Sequence, residues 1–230
     1  MERLIGIAGI LVLLSIALAM SNNRKAISWQ LVTWGLGIQL LFAIIILKTP
    51  VGVPFFSAID IGIKNLLSFS DAGSDFLFKS FRNGVVEDPL MNFAFRILPT
   101  LIFFSSLIAV LYHIGIMQFI VKWIARVMQK SMATSGSETL CVSGNIFVGQ
   151  TEAPLLVRPF ISKMTKSELM AIMVSGFATV AGGVMAMYVS MLGDIPGIAG
   201  HLLAASIMSA PAALVIAKII YPETETSETF

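Results

Sequence analysis

SGNIFVGQTEAPLLVRPF, residues 143–160, gathers Asn145, Gln150, Thr151 and Glu152 into one short stretch of an otherwise very apolar chain. Gly144 and Gly149 stand beside them, and Pro154 and Pro159 follow. Such a composition breaks a helix. The apolar arm before it would be about 16 Å long at about 1.5 Å per residue, half of a hydrocarbon core about 30 Å thick. Gly149 is expected to permit a chain reversal and Thr151 to cap a new helix. Pro154 then falls in that helix's first turn, where the amide it lacks has no helical partner. The stretch reads as a re-entrant helical hairpin whose tip sets amide, hydroxyl and carboxylate groups near the membrane midplane. Irregular backbone survives at that depth only where protein buries it or a wet cavity meets it.

The rest of the chain agrees with a membrane setting. Of 230 residues, 57% are apolar and 12% charged, which leaves too much apolar surface for a soluble fold. About five spanning helices plus the hairpin fit this length, in one bundle. The net charge of +2 is spread over loop ends without a basic tract, so it offers nucleic acid no footprint. A single cysteine, Cys141, excludes an intramolecular disulfide and a cysteine metal cluster. The first apolar run is longer than a signal-peptide core and lacks an A-x-A cleavage site, so it is expected to be a retained span.

Spans are expected over 4–20, 29–47, 93–117, 166–190 and 197–220, the second opened by the interfacial Trp29 and the fourth interrupted at Gly176 and Gly182–Gly183. Between them, 51–90 mixes apolar groups with Asp60, Lys64, Asp71, Asp75, Lys79 and other charges. It predicts one or two amphipathic interfacial helices and then a polar turn at Arg82–Gly84. Residues 118–130, with Lys122, Arg126 and Lys130 on one side, predict an amphipathic surface helix, and the hairpin occupies 134–164. The fold class is therefore an all-α membrane protein. Residues 1–130 would form scaffold and interfacial helices, 131–222 a transport core, and 223–230 a polar tail with no packing role. If the 21–25 turn faces the cytoplasm, most basic residues gather on that side. The N-terminus is then outside, and the hairpin enters from the cytoplasm.

Glu152 is where the chemistry concentrates. A carboxylate such as Asp at a membrane helix centre costs about 2.5–3.5 kcal/mol, so a compensating role is required. It could cap its own helix or pair with Arg158. With Gln150, Thr151 and Asn145 beside it, it could instead hydrogen-bond a small polar solute, and the density of polar groups favours this binding role. A second break lies at Ala178–Gly183. Adjacent glycines alone could be packing residues. Set against a re-entrant tip, unwound carbonyls there, the Asn145 amide oxygen, the Val148 carbonyl and the Thr179 hydroxyl would offer hard oxygen ligands for a sodium ion. Arg96 reads as structural or interfacial, His113 as a satisfied helix histidine, His201 as interfacial and Cys141 as a buried packing residue. No acid–base pair or nucleophile–base spacing marks an enzyme.

GNIFVGQTEAPLLVRPF at 144–160, AFRILPTLIFFSSL at 94–107, SNNRKAI at 21–27, TVAGGVMA at 179–186 and SAPAALVIAK at 209–218 closely resemble the concentrative nucleoside transporter family. The resemblance covers nearly the whole chain. It implies the first half of an inverted-repeat transporter that takes up nucleosides with a coupling ion, sodium or, as in some bacterial and fungal members, a proton. By position it implies base-binding roles for Gln150, Thr151 and Glu152 and a sodium site at Asn145, Val148, Thr179 and Val180. A serine is common where this chain has Thr179, and the hydroxyl is kept. The resemblance further implies a multi-pass protein of the cell inner membrane, a homotrimer, and no cofactor beyond the coupling ion. Purine and pyrimidine nucleosides both remain open as substrates. Family members carry a second repeat that holds the ribose. For a chain ending after the first, the alternatives are a truncated copy or half-transporter that binds nucleoside or a partner chain without transporting alone, or a second chain that supplies the missing repeat.

Overall fold

The computed structural model describes residues 2–49, 52–79, 84, 86 and 93–228. Of the expected turn at Arg82–Gly84 only Gly84 falls within them, and Glu87, Asp88 and the Arg96 side chain lie outside. Every regular element among the described residues is helical. The first two apolar runs form α1 (Glu2–Ala19) and α2 (Trp29–Lys48). Ser28 starts α2, its hydroxyl accepting the Leu31 amide at 3.4 Å. The charged 51–90 region holds one long helix, α3 (Gly52–Phe78).

A π-helical turn at Phe93–Ile97 leads into α4 (Leu98–Ile114). Gly115 then takes φ 90°, a left-handed conformation that glycine enters without steric cost, and α5 (Ile116–Met132) leaves at 78° to α4. The amphipathic reading of α5 holds: Met117, Val121, Ala125 and Met128 are buried at helical spacing while Lys122 and Arg126 are exposed. The remaining elements are α6 (Gly136–Asn145), a 3-10 helix (Ala153–Lys163), α7 (Lys166–Ala178), α8 (Gly182–Met191) and α9 (Ile198–Ile220).

Three stretches among the described residues are long and apolar enough to cross a membrane: Trp29–Ile46, Lys166–Met191 and Ile198–Ile220. The bent pair α4–α5 adds a fourth, and α1 contributes the shorter apolar helix Ala8–Ala19. By length and composition these support three, or with the bent pair four, of the five expected spans, α1 falling short of that length, and the protein is a multi-pass membrane protein. α9 is the axis of the bundle, packed by α2, α7, α3, α1 and α8. Small residues on its buried faces, among them Ala204, Ala210, Ala213 and Ala217, let neighbours approach closely. Gly35 of α2 sits so near that a Cβ there would lie 2.3 Å from Val215 Cγ2.

One end of α9 carries a buried charge cluster. α6 and α7 each open with a capping box, Ser135 with Glu138 and Thr165 with Glu168, and both glutamates are fully enclosed. Lys218 Nζ lies 2.8 Å from Glu138 Oε2 and donates to Ser167 Oγ at 3.0 Å. The expected idle tail is overturned here. Glu223 accepts the Thr165 hydroxyl at 2.7 Å and lies 3.4 Å from Lys218, and Ser227 donates to Glu168 Oε1 at 2.6 Å. The tail's polar composition concealed that its groups satisfy charges buried in the bundle.

At the other side, Asp60 of α3 accepts the Ala199 amide at 2.9 Å in the first turn of α9 and pairs with Lys64 at 3.2 Å. Burial works to raise the Asp60 pKa. The Ala199 amide, Lys64 and the Gly197 amide more than offset this and hold it below the ordinary carboxylate value.

Lys218→Met strands Glu138 as an unpaired buried charge, a loss on the scale of about 3–5 kcal/mol. Its unfolding temperature in detergent should fall well below that of the Lys218→Met/Glu138→Gln double variant, in which neither charge is left. Because the folded Asp60 pKa is lowered, its contribution is complete above the ordinary carboxylate pKa of about 4 and is lost as pH falls through the lower folded value. Asp60→Asn should therefore flatten the acid limb of a stability-against-pH profile while lowering stability at neutral pH.

Candidate functional site

α6 ends at Asn145, which is buried, and the chain then reverses through 146–152. The reversal is built from amide bonds back to the helix end: Val148 N–H donates to Gly144 O at 3.0 Å, and Ala153 N–H to Gly149 O at 2.9 Å. Two sequence expectations change here. Gly149 does not take a positive φ, and a Cβ there would make only ordinary contacts, with Ala181 Cβ at 3.4 Å and Glu152 Oε2 at 3.6 Å. Thr151 does not cap the returning arm. That arm is a 3-10 helix beginning at Ala153 with no side-chain cap, because Pro159 lacks an amide and its ring would collide with the carbonyl four residues back in an α-helix. The carboxylate of Glu152 is turned inward to the loop instead, where Oε2 accepts the Gly149 amide at 3.1 Å. Among the described residues no ion pair joins it to Arg158, and no hydrogen bond engages its Oε1.

α7 stops at Ala178 and α8 starts at Gly182, so Thr179, Val180 and Ala181 form an unwound break, as expected. The hairpin tip docks on this break. Asn145 Nδ2 donates to the Ser175 carbonyl at 2.7 Å and to the Thr179 hydroxyl, and that hydroxyl in turn donates to the Ser175 carbonyl at 2.9 Å. Gly182 N–H donates to the Val148 carbonyl at 3.3 Å. From α9, Ser206 Oγ donates to the Ile146 carbonyl at 3.1 Å. Backbone groups freed by two broken helices thus satisfy one another.

This brings Asn145, Val148 and Thr179 together, with Val180 half-buried in the break beside them. Their oxygen donors are neutral amide, carbonyl and hydroxyl groups, a hard set that suits a small alkali or alkaline-earth cation better than a transition metal. Among the described residues no three His, Cys, Asp or Glu side chains gather to hold a metal.

Beyond the tip lies a cavity of about 510 Å³. Thr151 and Glu152 line it; Gln150 does not, its side chain lying over Gly176 of α7. The opposite wall was not anticipated from sequence: Phe104, Ser105, Ile108 and Tyr112 of α4 face the tip. Their spacing, 104, 105, 108 and 112, marks one face of a helix, and that pattern with two hydroxyls in an apolar span was the available signal. Of the other singled-out residues, Cys141 packs as expected, buried and free, whereas His113 is exposed and no hydrogen bond satisfies it among the described residues. His201, like His113, is exposed near a helix end.

A family model described as "Na+ dependent nucleoside transporter N-terminus" matches residues 8–81, and one described as "Nucleoside recognition" matches 94–195. The chain is 44% identical over 227 residues to sodium/nucleoside cotransporter 1 of Mus musculus, covering 99% of this chain and 34% of that protein. It is 45% identical over 229 residues to an uncharacterized transporter of Haemophilus influenzae, of which it covers 53%. The fold superposes with a TM-score of 0.91 and 42% identity on CNTnw in an inward-facing substrate-bound state, covering 99% of this chain and 55% of that one. The chain thus spans from a third to about half the length of these relatives.

The docked geometry makes a contrast between neighbouring glycines. A Cβ at Gly182 would lie 2.2 Å from the Phe147 carbonyl oxygen, a backbone atom that cannot step aside, whereas at Gly183 it would meet Leu101 Cδ2 at 3.6 Å, an ordinary contact. Gly182→Ala should lower the unfolding temperature in detergent by several degrees and Gly183→Ala by little or nothing, both read by thermal denaturation. Equal effects would show that the tip does not sit on the break.

Proposed function

We propose, from the chain's membership of the concentrative nucleoside transporter family, whose N-terminal half it matches, that it forms the base-binding and ion-binding half of a sodium-coupled nucleoside transporter. The observation that carries the reading is the hairpin tip docked on an unwound helix, with a carboxylate beside a nucleoside-sized cavity. Glu152 and Thr151 would take hydrogen bonds from the base, and Gln150, at the edge of the same turn, would complete that contact. A carboxylate only accepts, so Glu152 selects the N–H side of a base, while the Thr151 hydroxyl can donate or accept.

Sodium would be held where the tip meets the break, by the oxygens of Asn145, Val148, Thr179 and Val180. Because the same groups clamp the two broken helices together, the ion would tighten the platform on which the base rests. This couples the two ligands without requiring them to touch. In this reading the protein would sit in the cell inner membrane as a homotrimer, with 131–222 as the transport core.

The test is uptake of radiolabelled uridine or adenosine into vesicles carrying the protein. An inward sodium gradient should stimulate it. Glu152→Gln should reduce it about tenfold or more, as loss of a charge-assisted hydrogen bond implies. Thr179→Val should raise the sodium concentration for half-maximal uptake while leaving saturated uptake nearer to normal. Uptake indifferent to sodium and to both substitutions would refute the reading; stimulation by a proton gradient alone would replace the ion.

A further inference from the structure

The cavity wall opposite the hairpin tip belongs to α4, where Ser105 and Tyr112 stand two helical turns apart on one face. The Tyr112 hydroxyl is buried and finds no hydrogen-bond partner among the described residues. A buried phenol normally has one. On the other side of the same space, Glu152 has committed Oε2 to the Gly149 amide at 3.1 Å and keeps its second oxygen. Tyr112 and Glu152 both line this cavity. An orphaned hydroxyl and a half-used carboxylate therefore face one volume of about 510 Å³, within the size range of small-molecule sites.

We propose that Tyr112 is a specificity-determining contact for the bound nucleoside, its hydroxyl hydrogen-bonding the exocyclic group of the base whose N–H faces Glu152. The proposal rests on the nucleoside reading above and extends the site to a second element, α4. A hydroxyl donates to a carbonyl and accepts from an amine, so one tyrosine serves keto and amino bases alike. What it disfavours is a base with hydrogen at that position, because the buried hydroxyl is then left without a partner. Sites built around a hydrogen bond reject analogues that lack it far more strongly than apolar pockets reject a missing methylene. The arrangement also gives the two faces of the cavity distinct tasks: the tip accepts, and α4 checks what stands next to the accepted N–H.

The experiment compares unmodified protein with Tyr112→Phe, purified in detergent with sodium, by isothermal titration calorimetry. Two ligand pairs are used, uridine with the 2-pyrimidinone ribonucleoside and adenosine with unsubstituted purine riboside; each analogue lacks both the exocyclic group and the N–H offered to Glu152, so the effect of Tyr112→Phe is read within each ligand and not between members of a pair. Tyr112→Phe should weaken uridine or adenosine about threefold to tenfold, the scale of one neutral hydrogen bond. It should leave the analogue without the exocyclic group unchanged, at an unaltered unfolding temperature. No change for any ligand, or an equal loss for both members of a pair, would overturn the proposal and leave the nucleoside reading standing. If the unmodified protein binds none of the four, the nucleoside reading itself fails and this proposal with it.

Discussion

Two helices are interrupted inside an apolar bundle, and each interruption exposes backbone groups that lipid cannot satisfy. The structure resolves this by docking one break on the other. The Asn145 amide reaches across to the Ser175 carbonyl and the Thr179 hydroxyl, and the Gly182 amide returns to the Val148 carbonyl. Unpaired amides and carbonyls in hydrocarbon cost several kcal/mol each, so neither break is tolerable alone. The need for close approach also explains why Gly182 carries no side chain: the Phe147 carbonyl occupies the space a Cβ would need.

The rest of the bundle supports that junction from both sides. α9 runs through the core with a small-residue surface and pins the tip through Ser206, which donates to the Ile146 carbonyl. At one end, Lys218 and the tail residues Glu223 and Ser227 join the capping glutamates of α6 and α7, so the starts of the hairpin and of the broken helix are tied to the same point. At the other, Asp60 and Lys64 of α3 hold the α8–α9 connection, through the Ala199 amide and the Gly193 carbonyl. Both arms that carry polar groups into the bundle are thus anchored on α9, and the tip faces the cavity together with α4 and the start of α8.

Much of this was legible in the sequence, because breaks in apolar periodicity are strong signals. The polar run at 145–152 and the Ala178–Gly183 interruption fell where expected, and the amphipathic 118–130 lies within the helix Ile116–Met132. What the sequence concealed was partnership. Gly149 resembled a turn glycine, yet its φ is not positive and a Cβ there would make only ordinary contacts, and Thr151 resembled a cap while the Glu152 carboxylate, not a threonine hydroxyl, closes the turn. The tail lacked any hydrophobic pattern, so its bonds to buried charges were invisible until the three-dimensional arrangement set Lys218 beside it. Tyr112 was missed for the same reason. A tyrosine near the end of an apolar span is ordinary, and only its position opposite Glu152 gives it meaning.

The central claim is that the tip lies at membrane depth yet in contact with water. It is tested most directly by a spin label at Thr151→Cys in a Cys141→Ala background, reconstituted in lipid vesicles. Quenching by lipids labelled near the acyl-chain ends would measure depth, and collision with a water-soluble nickel chelate would measure wetting. The account predicts a label near the bilayer centre that the chelate still reaches. A label at headgroup depth, or one at the centre that the chelate cannot reach, would contradict it.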